Sequence, residues 1–164
     1  MRPNDLRVSL CGASWPPARK LAVVACMDAR LHIEEVLGLK TGDAHIIRNA
    51  GGIVTADAVR SLVISHYLLG AGEFMIVNHT DCGMLTFKDE ELRERLRSAT
   101  GVVPVAPEAF HAFSNVEANV RQQIQKLRLH PWVPRSIPVR GFVYDVKTGR
   151  LNEIAAAETR RSTA

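Results

Sequence analysis

The stretch NHTDCGM, residues 78–84, sets an imidazole, a carboxylate and a thiol side by side as His79, Asp81 and Cys82. Imidazole and thiolate are common ligands of tetrahedral zinc, and His79 and Cys82, three apart, can turn toward one centre from a loop or a first helical turn. Upstream, CMDAR supplies Cys26, with Asp28 and Arg30 two and four positions beyond it. Three protein ligands leave a fourth position for water, which is the catalytic arrangement rather than the closed structural one. An arginine two residues from an aspartate can grip its carboxylate by paired hydrogen bonds, fixing Asp28 as an orienting or proton-accepting group. Residue types alone leave three other readings open. The cysteines can be small buried hydrophobes, Cys11 can complete a closed zinc site, or Cys26 and Cys82 can form a redox pair. Packing has no need of the Asp28–Arg30 pair, there is no Cys-x-x-Cys motif, and Cys11 is expected not to be a ligand.

These residues act together only if the fold brings them together. LAVVACMD reads as a buried strand ending near Cys26, AHIIRNA as a second strand running into Gly51 and Gly52, and EFMIVNH as a third strand ending at His79. TADAVRSLVISHYLLGAG has a helical apolar period, with Thr55 as its cap and Gly70 as its stop. KDEELRERLRS reads as a solvated helix, and residues 107–133 as a longer helical region ended by Pro131. GFVYDV reads as a fourth parallel strand, with a turn at Gly149 leading to a short edge strand. Alternating strands and helices imply an α/β domain with a mainly parallel sheet. Such sheets place ligand sites at the C-terminal ends of their strands, where Cys26 and His79 both fall.

The chain has 164 residues, 46% hydrophobic and 23% charged, which suits one globular domain with a sizeable core. A formal charge of +4 with 5% aromatic residues gives no nucleic-acid footprint. No window approaches the roughly 18 apolar residues of a membrane span, and residues 1–20 lack the apolar core of a secretory signal. A cytoplasmic protein without membrane or nucleic-acid partners is therefore expected. Residues 1–20 are expected as an arm interrupted by Pro16 and Pro17, residues 21–155 as the zinc-binding catalytic domain, and residues 156–164 as a flexible basic tail. The apolar Leu6, Val8, Leu10 and Trp15 in the arm call for a surface to cover.

CMDAR and HTDC, with IIRNAGG and RGFVYDVKTGRL following in corresponding order, resemble the β-class carbonic anhydrases, in particular their short bacterial branch. The resemblance covers about residues 20–152. It implies a four-stranded parallel sheet in the order 2-1-3-4 with an additional edge strand and flanking helices. It implies one zinc ion per subunit on Cys26, His79 and Cys82, and a catalytic dyad of Asp28 and Arg30. The implied reaction is reversible hydration of carbon dioxide to bicarbonate and a proton by attack of zinc-bound hydroxide. A homodimer is the implied minimum assembly, with the arm wrapped on the partner, and a resting form with Asp28 on the metal is allowed. No glutamine precedes Cys26, and RGF at Arg140–Phe142 stands where the family carries HGW. Relatives on this fold hydrolyse carbonyl sulfide or carbon disulfide, and a zinc-stabilised interaction protein is the non-catalytic alternative. Asp81 is expected to face solvent, with a hydrogen bond to a donor around the site as the alternative; His32, His66 and His111 are candidate proton relays, and Ile53, Val54 and Phe87 candidate pocket walls.

Overall fold

Strand β1, Leu21–Cys26, has all six residues buried, because it lies inside the sheet with apolar neighbours above and below it. In this computed structural model, which describes residues 16–103, 107 and 109–155, β1 pairs in parallel with β2, Ala44–Asn49, on one side and with β3, Glu73–His79, on the other. Strand β4, Val139–Tyr144, continues the parallel sheet beyond β3, and β5, Leu151–Ile154, closes it antiparallel. The order is β2-β1-β3-β4-β5, as expected. The last links of the register pair Cys26 with Asn49 and His79 with Tyr144, so both metal-ligand candidates leave the sheet at the same edge.

Alternation of side chains assigns the two faces. Ala22 and Val24 meet Leu62 of helix α2, Ala56–Tyr67, and Val120, Ile124 and Leu127 of helix α4, Val116–Leu129. Leu21, Val23 and Ala25 meet Leu31, Ile33 and Met84 on the other face, where the short helix Ile33–Leu37 (α1) lies. Gly141 of β4 admits α4 closely: a methyl there would collide with Val120 and Ile124. Thr55 caps α2, accepting from Ala58 N–H at 3.2 Å. Helix α3, Asp89–Thr100, buries no residue, as its charge pattern implies.

Two boundaries differ from expectation. Residues 107–133 are not one helical region, because α4 starts only at Val116, capped by Asn115 Oδ1 accepting from Ala118 N–H at 2.8 Å. Just ahead of it, the N–H groups of Phe110, His111 and Ala112 donate to the Asp89 carboxylate at 2.8–3.1 Å, which holds that segment out of a helix. Strand β4 ends at Tyr144 rather than running through Val146, because Asp145 takes up the hairpin and accepts from Gly149 N–H at 2.8 Å. The end of the expected arm, Ala18 and Arg19, donates backbone hydrogen bonds to Gly42 and Asp43. Residues 1–15, with Cys11, and residues 156–164 lie outside the described residues. Among the described residues no helix is long and apolar enough to cross a membrane.

Candidate metal centre

Strand β1 delivers Cys26 and β3 delivers His79 at neighbouring strand ends. Thr80 N–H then donates to Tyr144 carbonyl at 2.9 Å, and Asp81 turns the chain at φ 55°. That turn brings Cys82 back over the sheet at the start of a single 3₁₀ turn, Gly83–Leu85. The ligand atoms of Cys26, His79 and Cys82 all lie within 4.8 Å of one another, and all three residues are buried. The two Sγ atoms are 3.9 Å apart, so no disulfide joins them. Two thiolates about 2.3 Å from a tetrahedral zinc ion stand about 3.8 Å apart, so the spacing fits that metal.

His79 gives the clearest sign. Its ring is fully buried, and Nδ1 lies 2.9 Å from the Thr80 carbonyl, which can only accept. Nδ1 therefore carries the proton and Nε2 presents its lone pair inward, where it has no hydrogen-bond partner. A buried ring nitrogen without a partner, facing two thiols, fits a metal ligand.

The charges agree. The hydrogen bond from Cys82 lowers the Cys26 thiol to about 4 against the effect of burial, with help from His79 and the N–H groups of Asp28 and Gly51. The Cys26 thiolate in turn, with burial, pushes Cys82 up. Burial opposes charge on His79, yet the Cys26 thiolate, the Thr80 carbonyl and Asp28 together raise its pKa.

Asp28 stands at the rim, with Oδ2 3.7 Å from His79 Nε2. Arg30 forks onto it: Nε and the backbone N–H donate to Oδ1, and Nη2 to Oδ2, each at 2.9 Å. Those bonds from Arg30 hold the Asp28 carboxyl well below the usual carboxylate range. Residue spacing therefore identified a real pair. An Asp28-coordinated form would require this fork to open.

The partner of Asp81 was missed, although a donor around the site was the alternative to solvent. Asp81 is exposed, as expected, but it also accepts from Arg30 Nη1 through Oδ2 and from Nη2 through its carbonyl, both at 2.8 Å. Arg30 is thus held between Asp28 and Asp81. Arg48 was missed as well; it donates to the carbonyls of Cys26, at 3.1 Å, and Asp28, at 2.7 Å, and fixes the backbone between them. Its place in IIRNAGG was the available signal.

A family model described as "Carbonic anhydrase" matches residues 21–151, from the first residue of β1 to the first of β5. "Beta-carbonic anhydrase 1" of Mycobacterium tuberculosis is 46% identical over 140 residues, covering 85% of this chain and 84% of the relative. The chain belongs to the β-carbonic anhydrase family. A crystal structure of carbonic anhydrase from Streptococcus mutans superposes with a TM-score of 0.82 at 45% identity, covering 86% of this chain and 84% of that one. A "Carbon disulfide hydrolase" of an Acidianus species is 38% identical over 170 residues, covering 88% of this chain and 83% of the relative. Within this family frame the two thiolates and one imidazole form a single zinc site per subunit.

The remaining expected positions separate. Gly51 and Gly52 have φ of 79° and 61°, and both make close approaches, Gly52 against Cys26 itself. Ile53 and Val54 are buried. Ile53 also borders a cavity of about 450 Å³ with Asn49, Phe110 and His111, and Phe87 borders another of about 600 Å³ with Phe113. His66 bonds the Ala71 carbonyl ahead of β3, at the sheet edge opposite the metal ligands. It is therefore removed from the set of proton relays. His32 and His111 are exposed.

Proposed function

We propose that this chain is a zinc-dependent enzyme that converts carbon dioxide and water to bicarbonate and a proton, reversibly. The observation that carries the reading is the buried, partnerless His79 Nε2 facing Cys26 and Cys82, with the Asp28–Arg30 pair at its rim. Cys26, His79 and Cys82 would hold the zinc ion, which would supply the Lewis acidity that makes water nucleophilic near neutral pH. Asp28 Oδ2 would accept a hydrogen bond from the attacking water and orient it toward the substrate carbon. Arg30 holds Asp28 as the carboxylate, the form that can accept a hydrogen bond and orient the nucleophile. Arg30, held by Asp81, fixes the direction in which Asp28 points. The proton released passes to solvent or buffer.

Resemblance to the Acidianus hydrolase supports a second reading, hydrolysis of carbon disulfide or carbonyl sulfide at the same centre. All three substrates are linear and open to attack at carbon. The 46% identity to a carbonic anhydrase favours carbon dioxide. Turnover of the three compounds measured side by side decides: a clear preference for either sulfur compound overturns the substrate and leaves the metal site intact. A non-catalytic zinc protein would need a fourth protein ligand in place of exchangeable water. Among the described residues the acidic neighbour of the Cys26, His79 and Cys82 cluster is Asp28, 3.7 Å from His79 Nε2 and held away by Arg30.

The working unit is a homodimer with residues 1–20 packed on the partner, residues 21–155 as the catalytic domain and residues 156–164 as a basic tail. Exposed Tyr67 and Leu68 at the C-terminal end of α2 and the open edge of β2 support an assembly. Unpaired thiols at the centre suit the reducing cytoplasm.

A further inference from the structure

Three buried side-chain amides lie behind the metal centre and contribute no ligand: Asn78, Asn119 and Gln123, which are 1%, 5% and 5% exposed. Val54 N–H donates to Gln123 Oε1 at 3.0 Å, Gln123 Nε2 to Asn119 Oδ1 at 2.9 Å, and Asn119 Nδ2 to Asn78 Oδ1 at 3.2 Å. Asn78 Nδ2 then donates to the Gly51 carbonyl. A backbone N–H can only donate and a carbonyl can only accept, so the two ends fix the direction of every amide between them. The chain of bonds leaves the loop after β2 at Val54 and returns to it at Gly51. Asn49 clamps the same loop from its other side, accepting from Ile53 N–H at 2.8 Å and donating to its carbonyl at 2.7 Å.

The clamped loop touches every segment that bears a ligand. Gly52 is pressed so close that a methyl on it would stand 2.7 Å from Asn78 Nδ2 and 2.9 Å from Cys26 N. Gly51 packs against Met84, two positions beyond Cys82. Asn78 itself directly precedes His79. We infer that Asn78, Asn119 and Gln123 are positioning residues of the metal centre, holding the Gly51–Val54 loop as a fixed wedge that sets the spacing of Cys26, His79 and Cys82. Helix α4, through Asn119 and Gln123, thereby governs how tightly the metal is held. The inference rests on the zinc reading of those three ligands.

Apolar side chains of similar volume would fill this part of the core without the risk of an unpaired buried amide. The test therefore separates positioning from packing. Gln123→Met and Asn119→Leu each break the chain of bonds, and Ile124→Val trims the same helix at its contact with Gly141 without touching an amide. Zinc release to an excess of a chromogenic chelator, and the visible spectrum of the cobalt-loaded proteins, are measured where circular dichroism shows each variant folded. Gln123→Asn, an amide too short to span from Val54 to Asn119, serves if the larger changes prevent folding.

Release is expected to be roughly 10- to 100-fold faster in the amide variants, with shifted thiolate-to-cobalt bands, and unchanged in Ile124→Val. Amide variants that release zinc at the Ile124→Val rate, with unaltered cobalt spectra, would overturn the inference while wild-type protein still binds one zinc. Wild-type protein that binds no zinc would overturn the inference together with the reading beneath it.

Discussion

Asp28 is separated from the zinc ligands by function as well as by position. Its carboxylate lies 3.7 Å from His79 Nε2 but spends its hydrogen bonds on Arg30. Replacing Asp28 by Asn keeps the size, removes the charge and leaves all three thiol and imidazole ligands in place. Asp28→Asn should retain one zinc per subunit by elemental analysis and lose about a hundredfold in hydration rate, within the usual range for a positioned polar group. An unchanged rate across pH would refute the role. Asp81 acts one step further out, holding Arg30 through its side chain while its carbonyl would keep a second bond. Asp81→Ala should therefore lower kcat about three- to tenfold, with zinc content unaltered. Loss of zinc in Asp81→Ala would show instead that the turn itself had collapsed.

Local elements hold these side chains, and their own stability can be read by pH and by backbone strain. Asp89 begins α3 and gathers three N–H groups from Phe110–Ala112. Burial raises its pKa, but those donors outweigh it and the net shift is downward. A carboxyl depressed in the folded state stabilises above its unfolded pKa, and that contribution fades as pH falls through the folded one. The melting temperature of Asp89→Asn should thus lie below wild type at neutral pH, and the gap should close below about pH 4. A gap independent of pH would assign the loss to shape alone. Gly52 tests the loop: with φ at 61° and Cys26 N within 2.9 Å of an added methyl, Gly52→Ala should cost about 1–3 kcal/mol in denaturant unfolding and weaken zinc retention. A neutral Gly52→Ala would mean the loop yields freely.

At the scale of the whole molecule, the strand order was legible only through the resemblance carried by CMDAR and HTDC, whereas the sharing of one sheet edge by Cys26 and His79 and the Asp28–Arg30 pair were legible from apolar runs and short spacings. Those signals are local and periodic. The partners of Asp81, Arg48, Asn119 and Gln123 were not legible, because each bond joins segments far apart in the chain and depends on rotamers that residue type does not encode. The helical pattern before Val116 misled for a similar reason: Asp89 captures that backbone from another element. Zinc held by Cys26, His79 and Cys82 would tie both strand ends to the Cys82 turn, so its removal by a chelator should lower Tm, by roughly 2–4 °C per kcal/mol of binding free energy. An unchanged Tm would place the metal outside the folding unit. Light scattering should find a dimer at assay concentration, and an active monomer would rule out the proposed role of residues 1–20.

The central claim is that Cys26, His79 and Cys82 hold a zinc ion on which carbon dioxide hydration depends. Metal-free protein titrated with zinc, with the initial rate of carbon dioxide hydration followed by stopped flow at each addition, tests it most directly. The rate should climb linearly and break at one zinc per subunit. Protein that takes up its full zinc complement yet hydrates carbon dioxide no faster than buffer alone would contradict it.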